Sequence, residues 1–152
     1  MKTSPPPIYD PASFSREESI GYLISAVKAR LVVALDAELD ALGLTGAQFG
    51  TLMCITHDEA ETAADICRLV GCDTGAMTRM LDRLEEKQLV SRERSNDDRR
   101  VIHIHPTALA GDITRQAFPA AVAVLNRHLA GFSRDEVETL KSLLRRMLAN
   151  AS

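Results

Sequence analysis

Residues 73–105 constrain the fold more than any other part of the chain, because they combine a helical pattern with two strand-like segments. Asp73 can cap a helix whose apolar residues recur every three or four positions, at Met77, Met80, Leu81 and Leu84. The opposite side of this helix is mostly polar: Gly75, Thr78, Arg79, Asp82, Arg83 and Glu86. Two alternating segments follow, 89–94 and 101–105, and turn-forming residues join them. The pattern predicts a helix followed by a β-hairpin.

The polar face of this helix has the side chains that suit duplex DNA. Small, hydroxylated and guanidinium groups fit a major groove and hydrogen-bond phosphates and base edges. A solvated helix face would have similar residues, but the hairpin would also bring four arginines beside it: Arg92, Arg94, Arg99 and Arg100. We therefore predict a winged helix-turn-helix whose DNA-contacting residues are Thr74, Gly75, Thr78, Arg79, Arg83, Arg99 and Arg100.

The overall charge gives no support to this prediction. The chain has a net charge of −3, whereas nucleic-acid-binding domains are usually basic. Residues 73–105 contain as many acidic as basic side chains, so the placement of the arginines matters more than their number. The net negative charge of the rest of the chain would suppress non-specific binding to DNA without preventing specific contacts.

The rest of the chain predicts helices, which gives a mostly α fold of six helices with a small β wing. Three prolines indicate a flexible or extended arm over residues 1–14. A long helix runs from Arg16 to about Asp40, and Gly43 ends it. Later helix starts and stops are marked by capping residues: Thr45 with Gln48, Thr62 with Asp65, Gly71, Thr107, and Ser133 with Glu136. Pro119 predicts a kink or a restart in the fifth helix.

The terminal helices predict a homodimer. Their apolar stripes, in residues 16–42 and 107–150, are wider than a monomer of this size needs. Pairing with a second chain would cover them and would place two reading helices about 34 Å apart, one turn of DNA. We expect the winged helix-turn-helix to occupy residues 45–106 of a single domain spanning 15–152.

Several motifs in residues 44–107 resemble the multiple-antibiotic-resistance (MarR) family of regulators. The matching text is Leu44–Thr45–x–x–Gln48–Phe49, Asp73–x–Gly75–x–x–Thr78–Arg79–x–x–Asp82–x–Leu84–Glu85, Leu89–Val90–x–Arg92 and Asp98–x–Arg100. The resemblance implies a winged-helix dimer that represses transcription from a pseudo-palindromic operator. A phenolic or lipophilic effector, or oxidation, would release it from DNA. It also implies that Arg100 enters the minor groove, that Asp98 holds Arg100, and that the ligand pocket lies between the dimer arms and the reading domain.

Three residues depart from the family pattern. Gln88 occupies a position that usually has glycine, so a non-glycine residue would take a left-handed conformation. Pro106 stands where the family pattern usually has leucine. Gly111 lies one residue later than the pattern places a glycine, so the residue at which the fifth helix begins is not determined by the resemblance. None of the three is a predicted DNA-contacting residue.

The three cysteines suit a reducing compartment, and one of them is a candidate redox switch. Cys54 and Cys67 have apolar helical neighbours, where a thiol is usually a small buried hydrophobe. Cys72 precedes the reading helix, near the positive end of its dipole, which favours a thiolate. Oxidation of Cys72 could displace that helix.

The remaining patterns argue against other functions. His103 and His105 share one face of the wing strand, but no third metal ligand is visible near them. The chain lacks a phosphate-binding glycine loop, a nucleophile elbow and a zinc-protease motif, so we expect no enzyme and no cofactor. It also lacks a signal peptide and a membrane-length apolar run, so we expect the cytoplasm. Two alternatives remain: a metal-sensing or thiol-sensing regulator of the same fold, and a winged-helix protein-interaction module.

Overall fold

A computed structural model describes residues 7–57 and 60–150, and these residues form six α-helices and one two-stranded sheet. In chain order the elements are α1 Ile20–Leu39, α2 Gly46–Thr56, α3 Ala63–Val70, α4 Thr74–Glu86, β1 Val90–Arg94, β2 Ile102–Pro106, α5 Ala108–His128 and α6 Arg134–Asn150. The strands pair antiparallel, with Arg92 opposite Ile104. This is the predicted winged helix-turn-helix: α3 and α4 meet across a tight turn, and the hairpin is the wing.

The helix ends follow the capping residues in the sequence. Thr45 and Thr62 form capping boxes, and Asp73 and Thr107 each accept a hydrogen bond from the third helical residue. Gly71 ends α3 in a left-handed conformation, at φ of 69°. The first helix ends at Leu39 rather than at Gly43, and Gly43, at φ of 65°, instead ends a short 3-10 helix, Asp40–Leu42, that follows α1. The predicted caps are confirmed, and α5 begins at Ala108 despite the unusual positions of Pro106 and Gly111.

One predicted helix start is wrong, and one of the two alternatives predicted at Pro119 does not occur. The first helix begins at Ile20 rather than Arg16, because the Ser19 hydroxyl accepts a hydrogen bond from Tyr22 N and donates one to Arg16 O. The fifth helix passes through Pro119 without restarting, and it buries Ala117 and Ala121 on either side of that residue. Residues 1–6 of the predicted arm lie outside the described residues, whereas residues 11–13 form a turn.

The core lies among α2, α3, α4, the wing strands and α5. Met77, Leu81 and Leu84 of α4 are buried, and so are Val90 and Ile104 of the wing strands. The core therefore fixes which face of α4 is left outside. By contrast, no residue of α6 is buried. No helix in residues 7–57 and 60–150 is long and apolar enough to cross a membrane.

Gln88 takes the left-handed conformation that the departure from glycine predicted. Its φ is 59°, and it is the only residue other than glycine with positive φ in the part of the chain that the structure describes. Its backbone joins α4 to the wing, since Gln88 N donates to Glu85 O and Thr107 Oγ1 donates to Gln88 O. Gln88 therefore adopts a left-handed backbone conformation that costs a non-glycine residue about 1 kcal/mol of stability.

We expect Gln88→Gly to raise the free energy of unfolding by about 0.5–1 kcal/mol, because glycine adopts this φ without the Cβ clash. Urea denaturation at fixed protein concentration would measure the change. Gln116→Gly is the matched control, since Gln116 is exposed inside α5 and the same replacement there should destabilise by a similar amount. Destabilisation by Gln88→Gly would contradict the strain argument.

Candidate DNA-binding surface

The outer face of α4 is solvent-exposed and polar. Thr74, Thr78, Arg79 and Arg83 are all exposed, while Met77 on the opposite side is only 3% exposed. The Thr78 hydroxyl donates to Thr74 O at 2.9 Å, which keeps it close to the helix backbone. This face therefore presents hydroxyl and guanidinium groups to solvent.

The start of α4 is fixed by Asp73. Its carboxylate accepts a hydrogen bond from Ala76 N at 2.9 Å, and this bond lowers the pKa of Asp73 from its usual value. A Cβ on Gly75 would lie 3.1 Å from Asp73 Oδ1, so a larger residue at position 75 would press on the cap. Because Gly75 has no side chain, the Asp73 carboxylate can cap the helix and the surface at this end of α4 stays open.

Arg92 connects the wing to α4. Its Nη2 donates to Asp82 Oδ1 at 2.7 Å and to Thr78 O at 3.4 Å, and its Nε lies 3.6 Å from Glu85 Oε2. The side chain is 24% exposed, so water screens these contacts only partly. The sequence predicts Arg92 beside the helix with Arg94, Arg99 and Arg100, and in the structure its contacts hold the hairpin against α4.

The wing tip is ordered by Asp98. Asp98 Oδ1 accepts a hydrogen bond from Arg100 N at 3.0 Å and lies 3.5 Å from Arg100 Nε. The Arg100 side chain is 94% exposed. The carboxylate therefore orients an arginine that extends into solvent beyond the hairpin.

Three other arginines on this surface make no close internal contact, although Arg79 is near enough to Asp73 to help lower the pKa of that carboxyl. Arg79, Arg83 and Arg99 have no hydrogen bond or ion pair with any residue in 7–57 or 60–150. Their guanidinium groups would not have to break an internal contact to bind a phosphate. The Asp82 carboxylate, which could have neutralised Arg79 or Arg83, is instead paired with Arg92.

The wing histidines pair with acids on neighbouring elements. His103 Nδ1 lies 3.6 Å from Glu61 Oε2, and His105 Nε2 lies 3.6 Å from Glu93 Oε2. No group of three potential metal ligands occurs among the described residues. The two histidines therefore form part of the polar surface of the wing.

An apolar pocket of about 480 Å³ lies beneath the helix-turn-helix. Its lining residues come from α1, α2, α3, the α3–α4 turn and α4, and they include Lys28, Val32, Leu69, Cys72 and Met80. Helix α5 lines a different pocket, together with Thr56 and His57 at the end of α2. In the pocket beneath the helix-turn-helix, Lys28 is the only charged lining residue.

Comparison with known proteins identifies the fold family. The MarR family model matches residues 44–102. The multiple antibiotic resistance protein MarR of Escherichia coli (strain K12) is 32% identical over 130 residues, which covers 85% of this chain and 90% of the relative. The chain belongs to the MarR family.

Solved MarR structures have the same fold. Wild-type apo MarR from E. coli superposes with a TM-score of 0.73 at 30% identity, covering 86% of this chain and 97% of that chain. A mutant E. coli MarR complexed with operator DNA superposes with a TM-score of 0.76 at 31% identity, covering 85% and 93%. The chain is therefore a winged-helix transcriptional regulator of this family.

Proposed function

We propose that this chain is a dimeric repressor that binds a pseudo-palindromic operator and is released by a small-molecule effector. The observation that carries the proposal is the polar face of α4, which packs beside the wing and exposes Arg79 and Arg83 without a hydrogen bond or ion pair to the described residues. The E. coli MarR complex with operator DNA supports the same mode of binding. The protein would act in the cytoplasm and would catalyse no reaction.

Each exposed residue has a proposed role. Thr74, Gly75, Thr78 and Arg79 would lie in the major groove, because they occupy the outer face of the first turns of α4. Arg83, one turn further along, would contact phosphate. Arg99 and Arg100 would contact the minor groove and its backbone, with Asp98 holding Arg100 by the contacts described above. Residues 45–106 would form the reading unit.

The exposed surface of a single chain supports the dimer. The chain exposes 11358 Å², whereas a compact monomer of 16.6 kDa exposes about 7,600 Å². Helix α6 has few contacts with the rest of its own chain, and it exposes Leu140, Leu143, Leu144 and Met147. Obligate homodimers bury apolar faces of this kind. We propose that residues 16–42 and 107–150 pair with those of a second copy, and that residues 1–14 are an arm outside the domain.

The pocket beneath the helix-turn-helix would hold the effector. Its lining is mainly apolar, and Lys28 supplies one cation, so it suits a lipophilic or phenolic molecule with an anionic group. Because α3, the turn and α4 all contribute to the wall, a bound molecule would change the position of the reading helix relative to α1.

Fluorescence anisotropy on a duplex from the chain's own upstream region tests the proposed function. We expect tighter binding to this duplex than to a scrambled one, and affinity that falls steeply with salt as phosphate counterions are released. Equal affinity for both duplexes would contradict sequence-specific binding. No binding even at low salt would favour the alternative of a winged-helix protein-interaction module.

A further inference from the structure

The end of α4 is tied to the segment that joins α1 to α2. This segment, the α1–α2 junction, comprises residues 40–48, and Lys87 is the residue at which α4 ends. Lys87 Nζ donates a hydrogen bond to Gly43 O at 2.5 Å and another to Gln48 Oε1 at 2.9 Å. The two acceptors precede Lys87 by 44 and 39 residues. One side chain therefore joins the reading helix to the end of the first helix.

Both acceptors suit a cation, and both are held in place. Gly43 ends the 3-10 helix that follows α1, where the carbonyl ends of a helix attract positive charge. Neither α1 nor the 3-10 helix has a basic residue of its own in its last turn. Gln48 is 5% exposed, and its Oε1 also accepts from Thr45 N at 3.1 Å in the capping box of α2. Lys87 thus supplies the cation that this helix end lacks.

The α1–α2 junction is packed tightly against α1. Asp36 Oδ1 accepts a hydrogen bond from Gly46 N at 2.6 Å. A Cβ on Gly46 would lie 2.9 Å from Leu35 Cβ, which is closer than real side chains approach. The start of α2 therefore follows the position of α1, and α1 belongs to the proposed dimer interface.

A small tilt of α4 would matter to DNA recognition. Helix α4 packs mainly against α3 and β1, through apolar side chains whose contacts are less directional than hydrogen bonds. The helix has 13 residues, so Lys87 lies about 20 Å along its axis from Thr74, a proposed DNA contact. A tilt of about 10° moves one end relative to the other by about 3.5 Å, which is close to the rise of one base pair. The angle of α4 therefore has to be fixed at more than one point.

We propose that Lys87 is a positioning residue that fixes the angle between α4 and the dimerisation helix α1, and thereby makes the dimer selective for the spacing of its two operator half-sites. The inference rests on the proposed function, because spacing is defined only for a dimer on a two-part operator. Through Gly43 and Gln48, Lys87 connects the reading helix to the body that forms the dimer interface. The two α4 helices of a dimer are thus held at one separation and one relative orientation.

Two other roles for Lys87 predict different results. If Lys87 contacted a phosphate, its loss would weaken binding by the same factor at every spacing and would reduce the salt slope by about one. If Lys87 only stabilised the fold, its loss would lower the free energy of unfolding and leave the spacing preference unchanged. A positioning residue changes the preference among spacings and leaves the salt slope unchanged.

Fluorescence anisotropy on three duplexes tests the positioning role. One duplex would contain the operator mapped by footprinting on the upstream region, and the other two would have one base pair inserted or removed at its centre. Each change shifts the half-sites by about 3.4 Å and turns them by about a tenth of a helical turn. We expect it to weaken binding of the wild type by at least about tenfold and of Lys87→Met by less than about threefold. Lys87→Arg should regain the wild-type ratio, because a guanidinium group can donate to both acceptors.

Arg94→Met is the matched control for the lost charge. Arg94 is exposed on β1 and is not one of the proposed DNA contacts. This variant should change the affinity by the same factor on all three duplexes. An unchanged ratio between spacings in Lys87→Met, whatever its affinity for the operator, would overturn the inference.

Amide hydrogen exchange without DNA tests the link itself. We expect backbone amides in the α1–α2 junction and in the last turn of α4 to exchange at least about threefold faster in Lys87→Met than in the wild type, since local opening becomes easier. Lys87→Arg should restore the wild-type rates, and unchanged exchange in Lys87→Met would overturn the inference. Failure of the wild type to prefer its upstream duplex would overturn the proposed function and the spacing role with it. The exchange rates would then still decide whether Lys87 holds α4 against the junction.

Discussion

Leu140→Glu with Leu144→Glu is expected to leave the chain monomeric and to abolish operator binding at concentrations where the wild type is saturated. Both leucines lie on the exposed apolar stripe of α6, which has no cover within its own chain. Burying an unpaired carboxylate in an apolar interface costs several kcal/mol, and each 1.4 kcal/mol changes a dissociation constant about tenfold. We therefore expect the dimer to weaken by more than about a hundredfold.

Sedimentation equilibrium at micromolar concentration would measure the association, and anisotropy would measure operator binding. Ser142→Glu with Ala149→Glu is the matched control, because it adds the same charge to exposed positions on the opposite side of α6. The control should remain dimeric. A dimer of normal strength in the leucine variant, with circular dichroism unchanged, would show that α6 is not the interface.

Arg100→Ala is expected to weaken operator binding by about 1–3 kcal/mol, or roughly 5- to 150-fold, as expected for the loss of one good groove contact. The side chain is 94% exposed, so the free energy of unfolding should hardly change. Anisotropy on the operator would measure the loss. Arg115→Ala is the control, since it removes the same charge from an exposed site on α5. An equal loss in both variants would indicate a general charge effect and would refute the proposed wing contact.

A double-mutant cycle with Asp98→Asn separates the two proposed roles at the wing tip. If Asp98 acts by orienting Arg100, the Asp98→Asn change should weaken binding in the wild type and have little further effect when Arg100 is already alanine. Additive losses would mean that Asp98 acts independently of Arg100. The Asp98 carboxylate also accepts from Arg100 N, so the wing-tip conformation should be checked by NMR in both variants.

The arginine-rich character of the wing was readable from the sequence, but the division of labour among its arginines was not. Arg92 and Arg100 look equivalent in the sequence, since both lie near acids in one hairpin. Strand pairing and the packing of β1 on α4 then place Arg92 against Asp82 and Glu85, ten and seven residues earlier. Among the residues that the structure describes, Arg100 pairs only with Asp98, two residues away. Charge pattern identifies the region, and only packing identifies which guanidinium remains available.

The sequence by itself determined the features that depend on neighbours within about five residues. The caps at Thr45, Asp73 and Thr107 and the polar outer face of α4 follow from local hydrogen bonds and helical periodicity. The left-handed Gln88 was predicted from its departure from the family pattern. The tertiary structure decided the rest: the contacts of Arg92 with Asp82 and Glu85, and the pocket that joins α1 to the α3–α4 turn. These features depend on which surfaces meet when the core forms, and the surfaces come from residues far apart in the sequence. The spacing of residues along the chain does not show how close such surfaces lie in the folded protein.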